Sequence, residues 1–385
     1  MKNTTLFLLI ILLGGLVALP TLAQTIRRCN NNPGVAGVNM YTTIQAAHDA
    51  AAPGDVIYVE PSGISYGGLT CTKRLTIVGN GYFLTQNSGT SVNKSPSSVD
   101  NIACNAGSAG TIISGLKFGG PTSSLVQGQI QVLDANITVT RCWLGGVSIG
   151  HSGVTVIPNN FTISRCIIGG TVNYGYGPGS GYTLANGALI TNNIFNCGVG
   201  TAVSGMWNAT ISNNTIYSAV QSAGSRSIPA VILDVANTTI FNNIFDFRNA
   251  APTKSVVGIS ESGNPLLYIN NTISNNICLN KSGLPVDNGN INNVGATTTF
   301  QTANPWLFDV FGRGIFEQDA ILQLAPLSPA RGIGMGGTDA GAFGGVTPYI
   351  LSGQPNVPII TNFTTSGAGN NATPLTVTIS VRSNN

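Results

Sequence analysis

The sequence predicts an all-β protein: a single-stranded right-handed parallel β-helix, or solenoid, with an N-terminal capping helix and an extended C-terminal tail. One short pattern recurs six times, with an apolar residue, Asn or Cys three places later, and another apolar residue two places after that. The copies begin at Val139, Ile163, Ile190, Ile211, Ile240 and Ile273. Their spacings of 24, 27, 21, 29 and 33 residues are typical of a repeat architecture. Each copy contains a strand and a turn, without helical spacing.

The composition agrees with stacked strands. The 385 residues include 49 Gly, and only 8% of the residues are charged. Few charges suit strands that stack in register, because like charges on adjacent strands repel each other. The net charge is +3, and the chain has no basic run or basic helix. We therefore expect no nucleic-acid partner.

Residues 1–23 have the pattern of a secretory signal peptide. Lys2 supplies the positive charge, Leu6–Leu19 forms the apolar stretch, and Thr21–Ala23 offers a cleavage site before Gln24. The apolar stretch is too short to span a membrane. We expect a secreted protein, extracellular or at the cell surface, that does not span a membrane after cleavage.

The predicted capping helix is Tyr41–Ala52. Thr42 or Thr43 caps its N-terminus, and Pro53-Gly54 ends it. A helix placed just before the first coils is suited to cover their apolar end and unpaired strand edges.

The repeat pattern also predicts the inside of the solenoid. The first apolar residue of each copy and the one five places later should point inward. The Asn or Cys between them should turn the corner, since Asn tolerates left-handed backbone angles and its amide bonds to neighbouring groups. The resulting ladder along the coils comprises Cys142, Cys166, Asn193, Asn214, Asn243 and Asn276.

Two pairs of cysteines are candidates for covalent links. Cys142 and Cys166 occupy the same position on successive coils, so they are either stacked buried thiols or a disulfide. A disulfide between Cys29 and Cys71 is also predicted, which would tie the N-terminal segment to the first coils.

The outward positions supply the candidate ligand-binding residues. Arg141 and Arg165 are expected about 5 Å apart on adjacent coils, close to Trp143. A guanidinium pair beside an aromatic ring suits an acidic sugar chain, unless the arginines are solvated or paired with Asp134. The Asn173–Tyr182 insertion adds tyrosines for stacking on sugar rings. The further candidates near these coils are His151, Tyr174, Tyr176 and Tyr182.

Four places after the start of each copy the sequence predicts an outward apolar strip, about 24 Å long. Its members are Trp143, Ile167, Ile194, Thr215, Ile244 and Ile277. Such a strip is too large to remain bare on a soluble monomer, so either the C-terminal tail or a partner should cover it.

Two stretches resemble a known family. The run TIQAAHDAAAPGDVIYVEPSGISYGG, followed by KRLTIVGNG, resembles the opening of secreted bacterial parallel β-helix proteins of the pectate-lyase-like superfamily. The segment between Leu322 and Gly345 resembles the close of the solenoid in such proteins. The β-helix is therefore expected over residues 24–345, and a Pro-rich tail with a terminal strand over residues 346–385. Such scaffolds carry lyases, hydrolases, esterases, epimerases and adhesins, so the resemblance implies fold and export but leaves function open.

Ionisable residues are scarce where catalysis would need them. The acids of the coils are Asp134, Asp234, Asp246 and Glu261, and they are too scattered for the paired carboxylates of a glycosidase. A lyase of this fold would need a base and clustered carboxylates for Ca²⁺. We therefore expect no metal or cofactor, with Ca²⁺ only if the protein is a lyase.

Three functions remain open at this point. The first is a non-catalytic surface that binds an extracellular polysaccharide or a cell-envelope component. The second is a polysaccharide lyase or a related carbohydrate-active enzyme. The third is a structural surface protein that assembles through its apolar strip.

Overall fold

The computed structural model describes residues 24–121, 128–150, 158–174, 185–197, 200–217, 230–247, 255–258, 269–302, 305–308, 314–315, 318–370 and 372–383. The proposed signal peptide lies outside these residues, as do His151, Tyr176 and Tyr182. No helix among the described residues is long and apolar enough to cross a membrane.

The described part of the chain consists mainly of short strands. One α-helix, α1 (Ile44–Ala50), follows the second strand. The strands of the coils are β1 (Ile26–Cys29), β2 (Met40–Tyr41), β3 (Val56–Val59), β4 (Leu69–Cys71), β5 (Thr76–Val78), β6 (Ser98–Val99), β7 (Ile102–Cys104), β8 (Ile112–Ser114), β9 (Lys117–Phe118), β10 (Gln129–Val132), β11 (Thr138–Thr140), β12 (Trp143–Leu144), β13 (Gly146–Ile149), β14 (Thr162–Ser164), β15 (Ile167–Ile168), β16 (Val172–Tyr174), β17 (Ala185–Asn186), β18 (Leu189–Thr191), β19 (Ile194–Asn196), β20 (Val203–Trp207), β21 (Thr210–Ser212), β22 (Thr215–Tyr217), β23 (Ala230–Ala236), β24 (Thr239–Phe241), β25 (Ile244–Asp246), β26 (Ser255–Gly258), β27 (Thr272–Ser274), β28 (Ile277–Leu279) and β29 (Ile291–Val294).

The remaining elements follow the coils. They are the 3₁₀ helices η1 (Ala296–Thr298), η2 (Ala320–Leu322), η3 (Met335–Gly337) and η4 (Leu351–Gly353), and the strands β30 (Leu307–Phe308), β31 (Gly314–Ile315), β32 (Ile359–Thr365) and β33 (Val377–Arg382).

Three long sheets, whose strands pair in parallel, form the body of the molecule. Sheet A has the order β2-β1-β3-β5-β8-β11-β14-β18-β21-β24-β27, and sheet C runs from β6 through β28 to β29. Sheet B runs from β4 to β26, with β17 paired to β20. In a typical coil the chain passes from sheet A to sheet C and then to sheet B, before it returns to sheet A one strand further on. The predicted parallel β-helix is therefore confirmed.

The interior consists of files of apolar side chains that repeat from coil to coil. Paired positions in sheet A place Val139 beside Ile163 and Ile163 beside Ile190, and all three are buried. The partner file in sheet C contains Leu144, Ile168, Phe195, Ile216, Phe245 and Cys278, all buried. Both inward positions of the repeat are thus confirmed.

The capping helix is shorter than predicted, but its N-cap is one of the two expected. The Thr43 side chain accepts a hydrogen bond from the backbone N–H of Ala46 at 3.2 Å. Ile44 and Ala47 are buried, and the helix packs against β1 to β4 at the N-terminal end of the coils.

The corner between sheets A and C carries an amide ladder. The backbone N–H of Asn193 donates to Oδ1 of Asn214 at 2.9 Å, and its Nδ2 donates to the same oxygen at 3.0 Å. Asn214 donates in the same way to Asn243, and Asn243 to Asn276. Asn290 adds one further step beyond the repeats, because Asn276 donates to its Oδ1.

At the other end the ladder passes to the two cysteines. Cys166 N donates to Oδ1 of Asn193 at 2.9 Å, and Cys142 N donates to Sγ of Cys166 at 3.4 Å. Both cysteines are free thiols. Of the two alternatives for this pair, the structure has stacked buried thiols.

The left-handed residue at each corner is not the ladder residue, and this corrects the sequence prediction. Positive φ occurs one place earlier, at Arg141, Arg165, Asn192, Asn213, Asn242 and Asn275, with values between 52° and 57°. The ladder side chain must point into the coil to reach its neighbour. The residue before it makes the reversal, and its side chain points away from the coil axis.

The predicted Cys29–Cys71 disulfide is wrong, since both residues are free thiols. Cys29 belongs to sheet A, whereas Cys71 belongs to sheet B, where it pairs with Cys104. Burial raises the pKa of Cys29 to about 12. It therefore acts as a small apolar side chain in the first coil.

The described residues between 295 and 355, here called the covering segment, include side chains that pack on the outside of sheet C. Among the described residues, β29 is the last strand of the three stacked sheets, and the covering segment follows it. After the covering segment, β32 and β33 form an antiparallel hairpin. Its exposed apolar side chains include Phe363, which is paired with Ile379. The terminal strand expected in the tail is thus half of a hairpin.

Candidate functional site

The corner residues hold the covering segment onto the coils. Each left-handed residue makes a hydrogen bond between its side chain and the backbone of that segment. From the first of these coils to the last, the pairs are Arg141 with Gln354, Arg165 with Thr347, Asn192 with Ala342 and Gly344, Asn213 with Asp339, Asn242 with Met335, and Asn275 with Ile333. The segment therefore runs antiparallel to the order of the coils and is fixed at every step.

This arrangement removes Arg141 and Arg165 from the role predicted for them. They do lie on adjacent coils, as the sequence suggested, since Arg141 N donates to the carbonyl of Ser164. However, Arg141 is only 2% exposed, and Nη1 donates to the Gln354 carbonyl at 2.6 Å. Burial lowers the pKa of Arg141 to about 10 and also lowers that of Arg165. Arg141 is thus buried in a clamp on the chain itself, and the half-buried Arg165 holds the same segment through its Nε.

Trp143 and the apolar strip are buried as well. Trp143 is 3% exposed and packs against Phe83, with ring centroids 4.5 Å apart. Ile167 and Ile194 pack under Trp306, Leu322 and Tyr349 of the covering segment. Further along, Ile244 and Ile277 pack against Phe300 and Leu324. The chain thus covers its own apolar strip. Most of the covering residues precede residues 346–385, the tail that was predicted to cover it.

A buried polar network anchors the cover at the N-terminal end of the strip. The Asp319 carboxylate accepts hydrogen bonds from Tyr349 Oη at 2.8 Å and from Ser352 N and Asn87 Nδ2 at 2.7 Å. Tyr349 in turn lies 2.9 Å from the hydroxyl of Tyr82. Burial raises the pKa of Asp319 above its usual value, even though these donors act in the opposite direction.

Other predicted residues also have structural roles. Asp134 Oδ2 accepts from the backbone N–H groups of Gly107 and Ala109 at 2.9 and 3.0 Å, which fixes a turn. Asp246 is buried and accepts from Trp306 Nε1 at 2.8 Å. Tyr174 is half-buried and packs against the core. The other three candidates, His151, Tyr176 and Tyr182, lie outside the described residues.

The outer face of sheet B presents a different set of side chains. In-register pairs align one outward residue per strand from β4 to β23. This file, here called the polar file, contains Thr70, Ala103, Gln131, Ser148, Asn173, Ser204 and Leu233. Its length is about 29 Å, since adjacent strands are about 4.8 Å apart. The file carries hydroxyl and amide groups in its middle and no charged side chain.

An exposed tryptophan, Trp207, lies beside the polar file, three residues along β20 from Ser204. In β20 Ser204 points outward, Gly205 has φ of 77°, and Met206 is buried. This local distortion of the strand leaves Trp207 outward, with 37% of its surface exposed. Trp207 pairs with Asn186 of β17, and the Asn208 amide donates to Asn186 Oδ1 at 2.8 Å. An indole face thus lies beside two fixed amides.

The chemistry available on the polar file is hydrogen bonding and stacking. Its amides donate and accept, its hydroxyls do both, and Trp207 offers an apolar face. Among the described residues there is no group of three or more His, Cys, Asp or Glu side chains placed to hold a metal ion.

Sequence reasoning missed Trp207 because the residue stands outside the repeat pattern. The available signal was its place between two Asn-rich copies, directly before Asn208. The outward direction of its side chain depends on the distortion at Gly205, and a strict alternation of strand residues would not have given it.

No protein-family model and no curated protein matches the sequence. Solved structures that are similar to the chain include the following two. The Streptococcus pneumoniae surface protein and adhesin PfbA is 15% identical, with a TM-score of 0.36, over 65% of this chain and 84% of that chain. Pectate lyase Pel9A is 12% identical, with a TM-score of 0.37, over 83% of this chain and 96% of that chain.

Proposed function

We propose that this protein binds a neutral extracellular polysaccharide along the outer face of sheet B and does not cleave it. The observation that carries the proposal is the exposed indole of Trp207, three residues along β20 from Ser204 of the uncharged polar file. An extended ligand fits a file about 29 Å long better than a compact one does. Sugar rings have apolar faces for Trp207 and hydroxyl groups for Gln131, Asn173 and Ser204.

The ligand is proposed to be neutral because of where the cations lie. Arg141 and Arg165, the residues first expected to bind an acidic sugar, are engaged with backbone carbonyls of the covering segment. The polar file itself has no cation to pair with a carboxylate. Assembly through the apolar strip is no longer favoured, since the chain covers that strip itself.

Affinity electrophoresis tests the proposal. The protein is run through gels that contain neutral polysaccharides (β-glucan, xylan, mannan) or acidic ones (polygalacturonate, alginate). We expect at least one neutral polymer to retard it, and we expect Trp207→Ala to weaken that binding about tenfold, since a stacked aromatic contributes roughly 1 kcal/mol beyond area burial. Phe241→Ala, which removes an aromatic ring from the outer face of sheet A, should leave binding unchanged.

Two results would contradict the proposal. One is retardation by acidic polymers alone, and the other is equal binding by the parent and Trp207→Ala. In parallel, absorbance of unsaturated products is followed in the ultraviolet. Their appearance would replace the binding proposal with a polysaccharide lyase.

A further inference from the structure

A separate cavity of about 310 Å³ lies within the covering segment. It is bounded by the antiparallel bridge between Phe300 and Leu324, by the turn from Arg331 to Asp339, and by the loop from Phe343 to Tyr349. Its volume is at the lower end of the range for small-molecule pockets, about 300–1,000 Å³. The space suits a ligand of one or two sugar rings rather than a long chain.

Aromatic side chains form one wall of the cavity. Phe343 and Tyr349 meet with ring centroids 5.3 Å apart and planes inclined by 70°. The Tyr349 hydroxyl is engaged with Asp319, so Tyr349 contributes its ring to the lining. The loop is closed by a hydrogen bond from Tyr349 N to the Ala342 carbonyl at 2.8 Å, which holds both rings in place.

An ion pair forms another part of the lining. Arg331 Nη1 donates to Asp339 Oδ2 at 2.9 Å, and Asp339 Oδ1 accepts from Gly332 N at 3.0 Å. Arg331 is fixed further by the carbonyls of Ala325 and Leu324. The two charges cancel, so the cavity has no net charge to attract an ionic ligand. A guanidinium still has N–H groups left over after these bonds.

Two glutamines complete the polar lining. Gln301 N donates to the Gln323 carbonyl at 2.9 Å, which places the two residues side by side. Both side chains line the cavity, and each amide offers a donor and an acceptor. Paired amides beside a fixed guanidinium–carboxylate pair are suited to vicinal hydroxyl groups, which also donate and accept.

We infer that this cavity is a second saccharide site, which binds a single neutral sugar ring or a disaccharide. The aromatic wall takes the apolar face of the ring, and Gln301, Gln323 and the Arg331–Asp339 pair take its hydroxyls. The inference does not rest on the proposed function of sheet B, because its lining shares no residue with the polar file or Trp207.

Saturation-transfer NMR on the full chain tests this site. Glucose, galactose, mannose and N-acetylglucosamine are titrated, with glucuronate as the charged comparison. We expect at least one neutral sugar to bind with saturation, and we expect Gln323→Ala and Gln301→Ala each to weaken its binding at least fivefold. Gln86→Ala, at an exposed glutamine outside the cavity, serves as the matched control.

Thermal unfolding of each variant shows whether it folds as the parent does. If one glutamine variant does not fold, the other still tests the site. Trp207→Ala should retain the monosaccharide signal even if it loses polysaccharide retardation. The inference is overturned if no neutral sugar saturates, if glucuronate binds better than the neutral sugars, or if both glutamine variants bind like the parent.

Discussion

The guanidinium of Arg141 donates to the backbone carbonyl of Gln354 at 2.6 Å, across 213 residues of sequence. This bond joins a coil near the middle of the chain to the end of the covering segment. It is the first of a row of such bonds, one at each corner, in which Asn replaces Arg from the third repeat onward. A position that looked like a binding site therefore fixes the architecture.

Arg141→Ala should lower the free energy of unfolding by about 1.5–3 kcal/mol, the range for a hydrogen bond to a charged group. Denaturant unfolding followed by tryptophan fluorescence measures this, because Trp143 lies under the same cover. Arg28→Ala is the matched control, since half of the Arg28 side chain is exposed and it makes no contact with the covering segment in the bonds described above. Its effect should stay within about 0.5 kcal/mol. Equal losses in the two variants would count against the clamp.

Asn214→Leu should destabilise the protein by about 1–3 kcal/mol, because it leaves buried backbone groups of the ladder unpaired. Asn214 is fully buried, and its amide reaches the Ile190 carbonyl as well as Asn243. Asn362→Leu, at an exposed position of the C-terminal hairpin, is the comparison. A melting temperature unchanged by Asn214→Leu would mean that the amide ladder contributes nothing to stability.

Asp319 should make the protein less stable as the pH rises. Burial raises its pKa in the folded state, so the folded protein holds this proton more tightly than the unfolded chain does. The contribution is complete below the ordinary carboxyl pKa of about 4 and is lost as the pH rises through the raised value. Urea unfolding of the parent and of Asp319→Asn across this range measures it. The variant should gain stability relative to the parent with increasing pH, and a constant difference would refute the assignment.

Lys117 should have the opposite pH dependence. Its ammonium group lies 4.7 Å from the centre of the Trp143 ring and donates to the Pro121 carbonyl at 2.9 Å. Burial lowers its pKa to about 8 from an ordinary 10.5. Between these values the unfolded chain binds more protons, so the free energy of unfolding should rise with pH. Lys117→Met should remove that part of the rise in denaturant experiments, and an identical pH profile in the variant would exclude this role.

The repeat was enough to predict the coils, because inward positions recur at a fixed offset from Val139 to Ile273. The ladder residues followed from the same offset. The corner conformation did not, since Asn occupies both the ladder position and the one before it in four of the six copies. In the first two copies the two positions differ, with Arg141 and Arg165 at one and Cys142 and Cys166 at the other.

The candidate site was harder to predict than the coils. The sequence identified Trp143 as outward, which is correct for its direction, but it gave no means to see Tyr82 and Phe83 packed against it. Those contacts join residues far apart in the chain, and no periodic pattern links them. Trp207 was missed because of a local effect: the distortion of β20 at Gly205 determines the direction of its side chain.

The order of synthesis gives the covering segment a second consequence. Every residue of the apolar strip, from Trp143 to Ile277, precedes residue 295, so the ribosome makes the strip before the covering segment that shields most of it. Until the covering segment has been synthesised, the growing solenoid exposes the apolar strip, and exposed apolar surface promotes aggregation. In a chain that ends before the covering segment, the apolar strip stays exposed. The covering segment thus makes protection from self-association depend on the completion of translation. An incomplete chain differs from a complete one by its exposed apolar strip.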